Sequence, residues 1–316
     1  MLKKSKILRR LIIILFYLGI STGAIVLYGP FENIRKMVIG SVLTSSHPWY
    51  IEPFYSEETL AKYRPVSYTS MEEATMEGRD FSGIHDDQID VVSIDTKKYS
   101  GKMIVVHDPK RVHVAITKEL GTVGQTVSEM VKDAKAIAGI NAGGFDDSRG
   151  RGTGGVPMGL VISHGKYIFG DKDEEGPMIA LSKDGALTIG SFNYQQLQNM
   201  GVQEAVSFGP LLVKNGQSFL KPSDDTWGIA PRSAIGQRED GAIVLLALSG
   251  RGNGGIGATL MDCANEMIKN GAVMAANLDG GYSTELYYKN DFLVTPSNPM
   301  GERYVPTSFV VAGGNQ

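Results

Sequence analysis

The sequence predicts an α+β fold: a largely antiparallel sheet with hairpins and a few packed helices, preceded by an N-terminal transmembrane helix. Three observations predict it. From residue 81 onward, short apolar runs alternate with turn signals, as in strands joined by hairpins. Two amphipathic stretches each open at a threonine and lead into a strand of small residues. A basic cluster (Lys3, Lys4, Lys6, Arg9 and Arg10) precedes the uncharged run 11–28, which Gly29-Pro30 ends.

That run is near the lower limit of the ~17–25 apolar residues a spanning helix needs. The basic cluster places the N-terminus in the cytoplasm and the rest outside. A cleaved signal peptide, which leaves a secreted protein, is the rival reading, with small residues at 21–24. The apolar run continues through Ile25-Val26-Leu27 beyond any such site, which favours an uncleaved single-pass anchor in the cell membrane. Residues 1–30 are therefore tail and anchor. Residues 31–80 mix Pro, Tyr, Ser and charges without a period and read as a juxtamembrane stalk or docking segment, with a helix over 34–43. Trp49, Tyr50, Phe54 and Tyr55 either pack on protein or sit at the membrane surface. Residues 81–316 form one domain.

Within the domain, apolar residues alternate over 89–94, 103–106 and 112–116, with Asp108-Pro109-Lys110 as a turn. Hairpin turns follow at His164-Gly165-Lys166, Lys183-Asp184-Gly185, Lys214-Asn215-Gly216, Glu239-Asp240-Gly241 and Lys289-Asn290-Asp291. Thr126 caps the first helix and Glu129 completes a capping box, with Val127, Met130, Val131, Ala134, Ile137 and Ala138 as its apolar stripe. The second helix runs over 259–270, with Leu260, Cys263, Ala264, Met267 and Ile268 inward and Asn270-Gly271 as its stop. Each helix leads into a small-residue strand that ends in a polar, glycine-rich turn: Asn141-Ala142-Gly143-Gly144-Phe145-Asp146 and Asp279-Gly280-Gly281-Tyr282-Ser283-Thr284. The repeat predicts two half-sites at one edge of a sheet.

Composition narrows the chemistry. A net charge of −3 offers no electrostatic case for nucleic acid. Cys263 is the only cysteine, so no internal disulfide or cysteine-based zinc cluster exists. The five histidines are scattered without metal-site spacing and read as structural or exposed. No P-loop, dinucleotide fingerprint or nucleophile elbow occurs.

The remaining inventory is carboxylate, amide, hydroxyl and arginine on glycine-rich turns, which suits hydrolysis of an anionic substrate. Asp279, leaving a buried strand between glycines and hydroxyls, is the first candidate for the chemistry, with Asp146 second. Either is also placed to hold a divalent cation. The plain alternative at both is a capped turn. Arg232 enters an apolar strand, which is costly unless its guanidinium meets an anion, either a substrate phosphate or a protein carboxylate such as Asp279. Arg303 is a second anion contact or a surface residue. Asn141, Ser233, Gly280, Gly281, Ser283 and Thr284 complete the candidate substrate-binding set. Ser249-Gly250-Arg251-Gly252 is a weaker candidate loop, and Ser207 reads as part of a plain turn.

Taken in order, residues 140–146, 159–166, 207–216, 231–241, 259–284 and 303–311 resemble the phosphodiester glycosidase family. Ala142 and Gly144 stand where that family usually has glycine and an aromatic, Tyr282 replaces a third glycine, and Ser249 stands where an Asp often precedes Gly-Arg. The resemblance implies cleavage of a sugar-1-phosphodiester at the anomeric carbon–oxygen bond. The residue inventory is compatible with that reaction: Asp279 as the carboxylate with Asp146 second, Arg232 and Arg303 stabilising the phosphate charge, and Asn141 and Ser283 orienting the substrate. A location outside a bacterial membrane points to a phosphorylated glycan of the cell wall or exopolysaccharide as the partner. The alternatives are a non-catalytic glycan-binding or wall-assembly protein on the same fold, and a metal-dependent phosphodiesterase cutting the phosphorus–oxygen bond.

Overall fold

The computed structural model describes residues 2–43, 48–64, 71–76, 78–147, 152–220, 227–250 and 255–314. The chain divides into two compact units, residues 1–65 with 225–228, and residues 66–224 with 229–316.

The first unit is helical, with α1 (Leu2–Tyr28), α2 (Glu32–Leu43) and α3 (Glu57–Ala61). Its small core is Ile39, Ile51 and Leu60. Tyr55 donates its hydroxyl to Leu27 O at 2.6 Å and packs on Tyr28 and Tyr63, while Tyr50 and Phe54 are exposed. Among the described residues one helix, Ile7–Tyr28, is long and apolar enough to cross a membrane, and it is exposed along its apolar stretch.

The second unit is the α+β domain. A six-stranded sheet runs in the order β1 (Ala74–Thr75), β9 (Leu187–Phe192), β8 (Gly176–Ser182), β10 (Val202–Ser207), β6 (Val161–Ser163), β7 (Lys166–Phe169). A seven-stranded sheet runs β12 (Gln217–Ser218), β11 (Leu211–Lys214), β15 (Ala272–Asn277), β13 (Arg232–Arg238), β14 (Ile243–Leu248), β3 (Ser100–Val106), β2 (Ile89–Asp95). A five-stranded sheet runs β17 (Asp291–Val294), β16 (Leu286–Tyr288), β5 (Ala136–Asn141), β18 (Thr307–Ala312), β4 (Val112–Ile116). The paired strands are antiparallel.

Turn chemistry sets these pairings. His164-Gly165, Asn215-Gly216 and Lys289-Asn290 each hold two successive residues at positive φ, the twist-matched form for a two-residue hairpin. All three sheets turn one face to a common core, which includes Ile104 and Val106, Val114 and Ile140, and Ile179 and Ile189. Met71, Ala74 and Met76 also enter that core, and β1 pairs with β9. Residues 71–76 therefore belong to the domain rather than to a stalk. Spaced apolar side chains anchor them where no strand period announces it.

The helices are α4 (Val127–Asp133), α5 (Tyr194–Asn199) and α6 (Leu260–Lys269), and each opens on a capping box. Helix α4 is shorter than its apolar stripe predicts. Lys135 adopts φ 52 and breaks the helix, which puts Ile137 and Ala138 on β5. Gly139 lets α4 lie flush on that strand, because a Cβ there would stand 2.4 Å from Val131 Cγ2. Gly139→Ala is expected to lower stability by about 1–3 kcal/mol, read as a lower denaturant midpoint.

Candidate active site

Strands β5 and β15 end side by side, but in different sheets, not at one sheet edge as the sequence predicts. Polar turns need hydrogen-bond partners beyond their own ladders, and here each supplies the other's. The Asp279 N–H donates to Ala142 O at 3.0 Å, and the Asn141 amide donates to Asp279 O at 2.5 Å.

Asn141 is fully buried, and its orientation follows from its neighbours. The amide atom facing a carbonyl must be nitrogen, and the one facing an N–H must be oxygen. Its Oδ1 accepts the Ser233 hydroxyl at 2.8 Å and the Glu285 N–H at 3.3 Å. Asn141 and Ser233 thus hold the site together from within.

The turn they support carries the carboxyl of interest. Gly281 needs its φ of 64, and a Cβ on Gly280 would come within 3.1 Å of Pro231 O. Asp279 is partly buried as a residue, yet its Oδ2 is shut off from solvent and has no hydrogen-bond partner. Burial pushes its pKa up to about 6. The Ser283 hydroxyl, the Gly280 N–H and the Arg303 charge act against that rise, while Asp147 adds to it. The neighbouring Thr284 hydroxyl is also buried without a partner.

Arg303 is neither on the open surface nor alone. It pairs with Asp147 and lies over the Phe145 ring at 5.3 Å, and the two charged side chains are 18% and 21% exposed. Of the acidic pair, Asp147 is therefore the one drawn into the cluster, whereas Asp146 is exposed. Arg232 is buried beside Gly280, and its Nε donates to Ala258 O at 3.3 Å. The strand position thus brings Arg232 to the turn, while Arg303 is the arginine whose charge lowers the Asp279 pKa.

Two glutamates complete the surroundings and carry no obvious sequence signal. Glu285 is fully buried, and burial followed by the Glu302 charge pushes its pKa well up. Glu302 accepts the Ser128 N–H at 3.0 Å and its hydroxyl at 2.7 Å. A charge standing directly before the apolar strand Leu286–Tyr288 was the available clue.

Other candidates have structural duties. Ser249 donates to Ser100 O at 2.8 Å, Arg251-Gly252 lie outside the described residues, and the Ser207 hydroxyl accepts the Leu160 N–H at 2.9 Å. Cys263 is buried with its thiol pushed up to about 12, as a small hydrophobe is. The histidines are not all scattered in space. His113 and His164 meet at Glu204, with ligating atoms within 4.8 Å of one another, a group able to hold a metal ion.

The phosphodiester glycosidase family model matches residues 134–312, more than half of the chain. The catalytic domain of zebrafish N-acetylglucosamine-1-phosphodiester alpha-N-acetylglucosaminidase, in a form auto-inhibited by its pro-peptide, shares the fold. Its TM-score is 0.64 and its identity 21%, covering 82% of this chain and 94% of that one. A hypothetical protein from Synechocystis follows at TM-score 0.51 and 18% identity, covering 70% and 61%. The SPbeta prophage-derived uncharacterized protein YomE of Bacillus subtilis is 28% identical over 194 residues, 58% of this chain but only 29% of that protein's length.

Because the folded state holds the Asp279 proton up to about pH 6, it binds more protons than the unfolded chain between about pH 4 and 6. Stability therefore falls as pH rises through that window. Asp279→Asn removes the burden and is expected to raise stability at pH 7 by up to about 3 kcal/mol, with little change below pH 4. Denaturant titrations at the two pH values check this; a variant less stable than wild type at pH 7 would mark Asp279 as a structural capping residue.

Proposed function

The chain belongs to the phosphodiester glycosidase family, and on that footing we propose that it hydrolyses sugar-1-phosphodiester linkages. One observation carries the reading: a carboxyl with a pKa of about 6 and an unpartnered, desolvated oxygen, set beside an arginine on a glycine turn. That is the profile of a group able to exchange a proton near neutrality.

In this reading the anomeric carbon–oxygen bond breaks and its electron pair leaves with the phosphate. Water supplies the oxygen that joins the anomeric carbon, and ionised Asp279 takes its proton while supporting the oxocarbenium-like carbon. The phosphate needs less proton donation than an alkoxide. Arg303, with guanidinium donors beyond its Asp147 contact, stabilises the departing charge. Arg232 adds positive charge beneath the Gly280 turn. Ser283 and Thr284 orient the sugar phosphate, and Asp146 is a second carboxylate at the exposed edge of the loop. Asn141 and Ser233 position Asp279 rather than contact substrate.

The apolar helix Ile7–Tyr28 and the basic residues before it support a single-pass anchor with the domain outside a bacterial membrane. A polymer joined through sugar phosphates, in cell wall or exopolysaccharide, is the substrate such a location offers.

Incubating the chain with a panel of sugar-1-phosphodiesters, with and without chelator, is expected to yield free sugar and a phosphomonoester. Release of sugar phosphate instead marks a metal-dependent phosphodiesterase, and binding without turnover marks a wall-assembly role. The rate should rise with pH through about 6, as Asp279 ionises. Asp279→Asn should lower kcat by about 100-fold or more, and Arg303→Ala by about 100-fold. An undiminished rate in Asp279→Asn removes the assignment.

A further inference from the structure

Three side chains outside the Asp279 cluster converge where two sheets meet. His113 lies on β4, the edge strand of the five-stranded sheet, while Glu204 on β10 and His164 in the β6–β7 turn belong to the six-stranded sheet. Glu204 is 3% exposed, a burial that a carboxylate tolerates only with strong partners. Its Oε2 accepts the Val114 N–H at 2.8 Å, and the Ser163 hydroxyl donates to Val114 O at 2.8 Å. Side chains of one sheet therefore close the open edge of the other.

The second oxygen points elsewhere. Oε1 lies 3.2 Å from His113 Nδ1 and 3.5 Å from His164 Nδ1, and the imidazole centroids are 5.1 Å apart. His164 is held in place by its left-handed turn, φ 49, and by its own N–H on Oε1 at 3.2 Å.

Two of the three separations fit a coordination shell, and the ligating atoms all lie within 4.8 Å of one another. A four-coordinate ion with bonds of about 2.0–2.1 Å sets neighbouring ligand atoms about 3.3–3.4 Å apart. An octahedral ion with bonds of the same length sets them about 2.9 Å apart. The observed pair of distances brackets the first value. Two imidazoles and one carboxylate are also the donors a zinc-type ion takes, whereas magnesium and calcium take oxygen.

We propose that His113, His164 and Glu204 bind a divalent transition-metal ion of the zinc type. The ion clamps β4 to the β6–β10 junction and leaves a fourth position toward solvent, on the side where the His164 ring is 67% exposed. The site shares no residue with the Asp279 cluster and does not depend on the glycosidase reading.

The test uses the full chain in detergent, stripped by chelator, dosed with zinc or magnesium, desalted and assayed for bound metal and thermal unfolding. Wild type should retain about one zinc per chain. Its Tm should rise by about 5 °C or more with zinc well above Kd, and stay unchanged with magnesium. His164→Asn removes the imidazole while keeping a residue type that accepts the left-handed turn, so it should fold, lose retained zinc and show no zinc-dependent shift. Glu204→Gln should lose zinc as well. No zinc retained by folded wild type, equal shifts with magnesium, or wild-type retention in His164→Asn would each overturn the site.

Discussion

The arrangement depends on one buried amide. Asn141 sits at 0% exposure with its oxygen under two donors and its nitrogen on a backbone carbonyl. A buried amide left unpaired is expensive, so the three segments that satisfy it must arrive together. Those segments are the Asp279 turn, the start of β13 and the approach to β16. They come from two sheets that share no ladder, and the amide makes them one site.

The cost of this construction falls on the acids. Asp279 and Glu285 are both driven toward the protonated form by burial, and each has an acidic neighbour that drives it further. The common apolar core of the three sheets outweighs that cost. A fold held by strand pairing and side-chain packing can keep a carboxyl in a setting that water would otherwise relieve. A raised carboxyl pKa beside an arginine is a feature of chemistry more often than of stability.

The departures from the family pattern have local consequences. Ser249 stands where an acid often does in the family, and here it ties β14 to β3 through Ser100. Tyr282 is partly buried on the turn beside Ser283, where a third glycine would leave open space. The fold is shared with the zebrafish domain at 21% identity because strand pairing and core volume fix the architecture, while loop residues vary.

Much of this was legible in the sequence, because the signals were local. Turn pairs such as Asn215-Gly216 specify hairpins, the Thr126 capping box specifies a helix start, and a carboxylate between small residues and glycines marks Asp279. The end of α4 was not legible, since Lys135 carries no stop signal and Ile137 fits either period. Nor was the company of each charged group. The preference for Asp147 over Asp146 at Arg303, the burial of Glu285 and the meeting of His113, His164 and Glu204 all arise between segments distant in the chain. Periodicity describes a residue's own element, and only tertiary packing decides which side chains from other elements it meets and how much water remains between them.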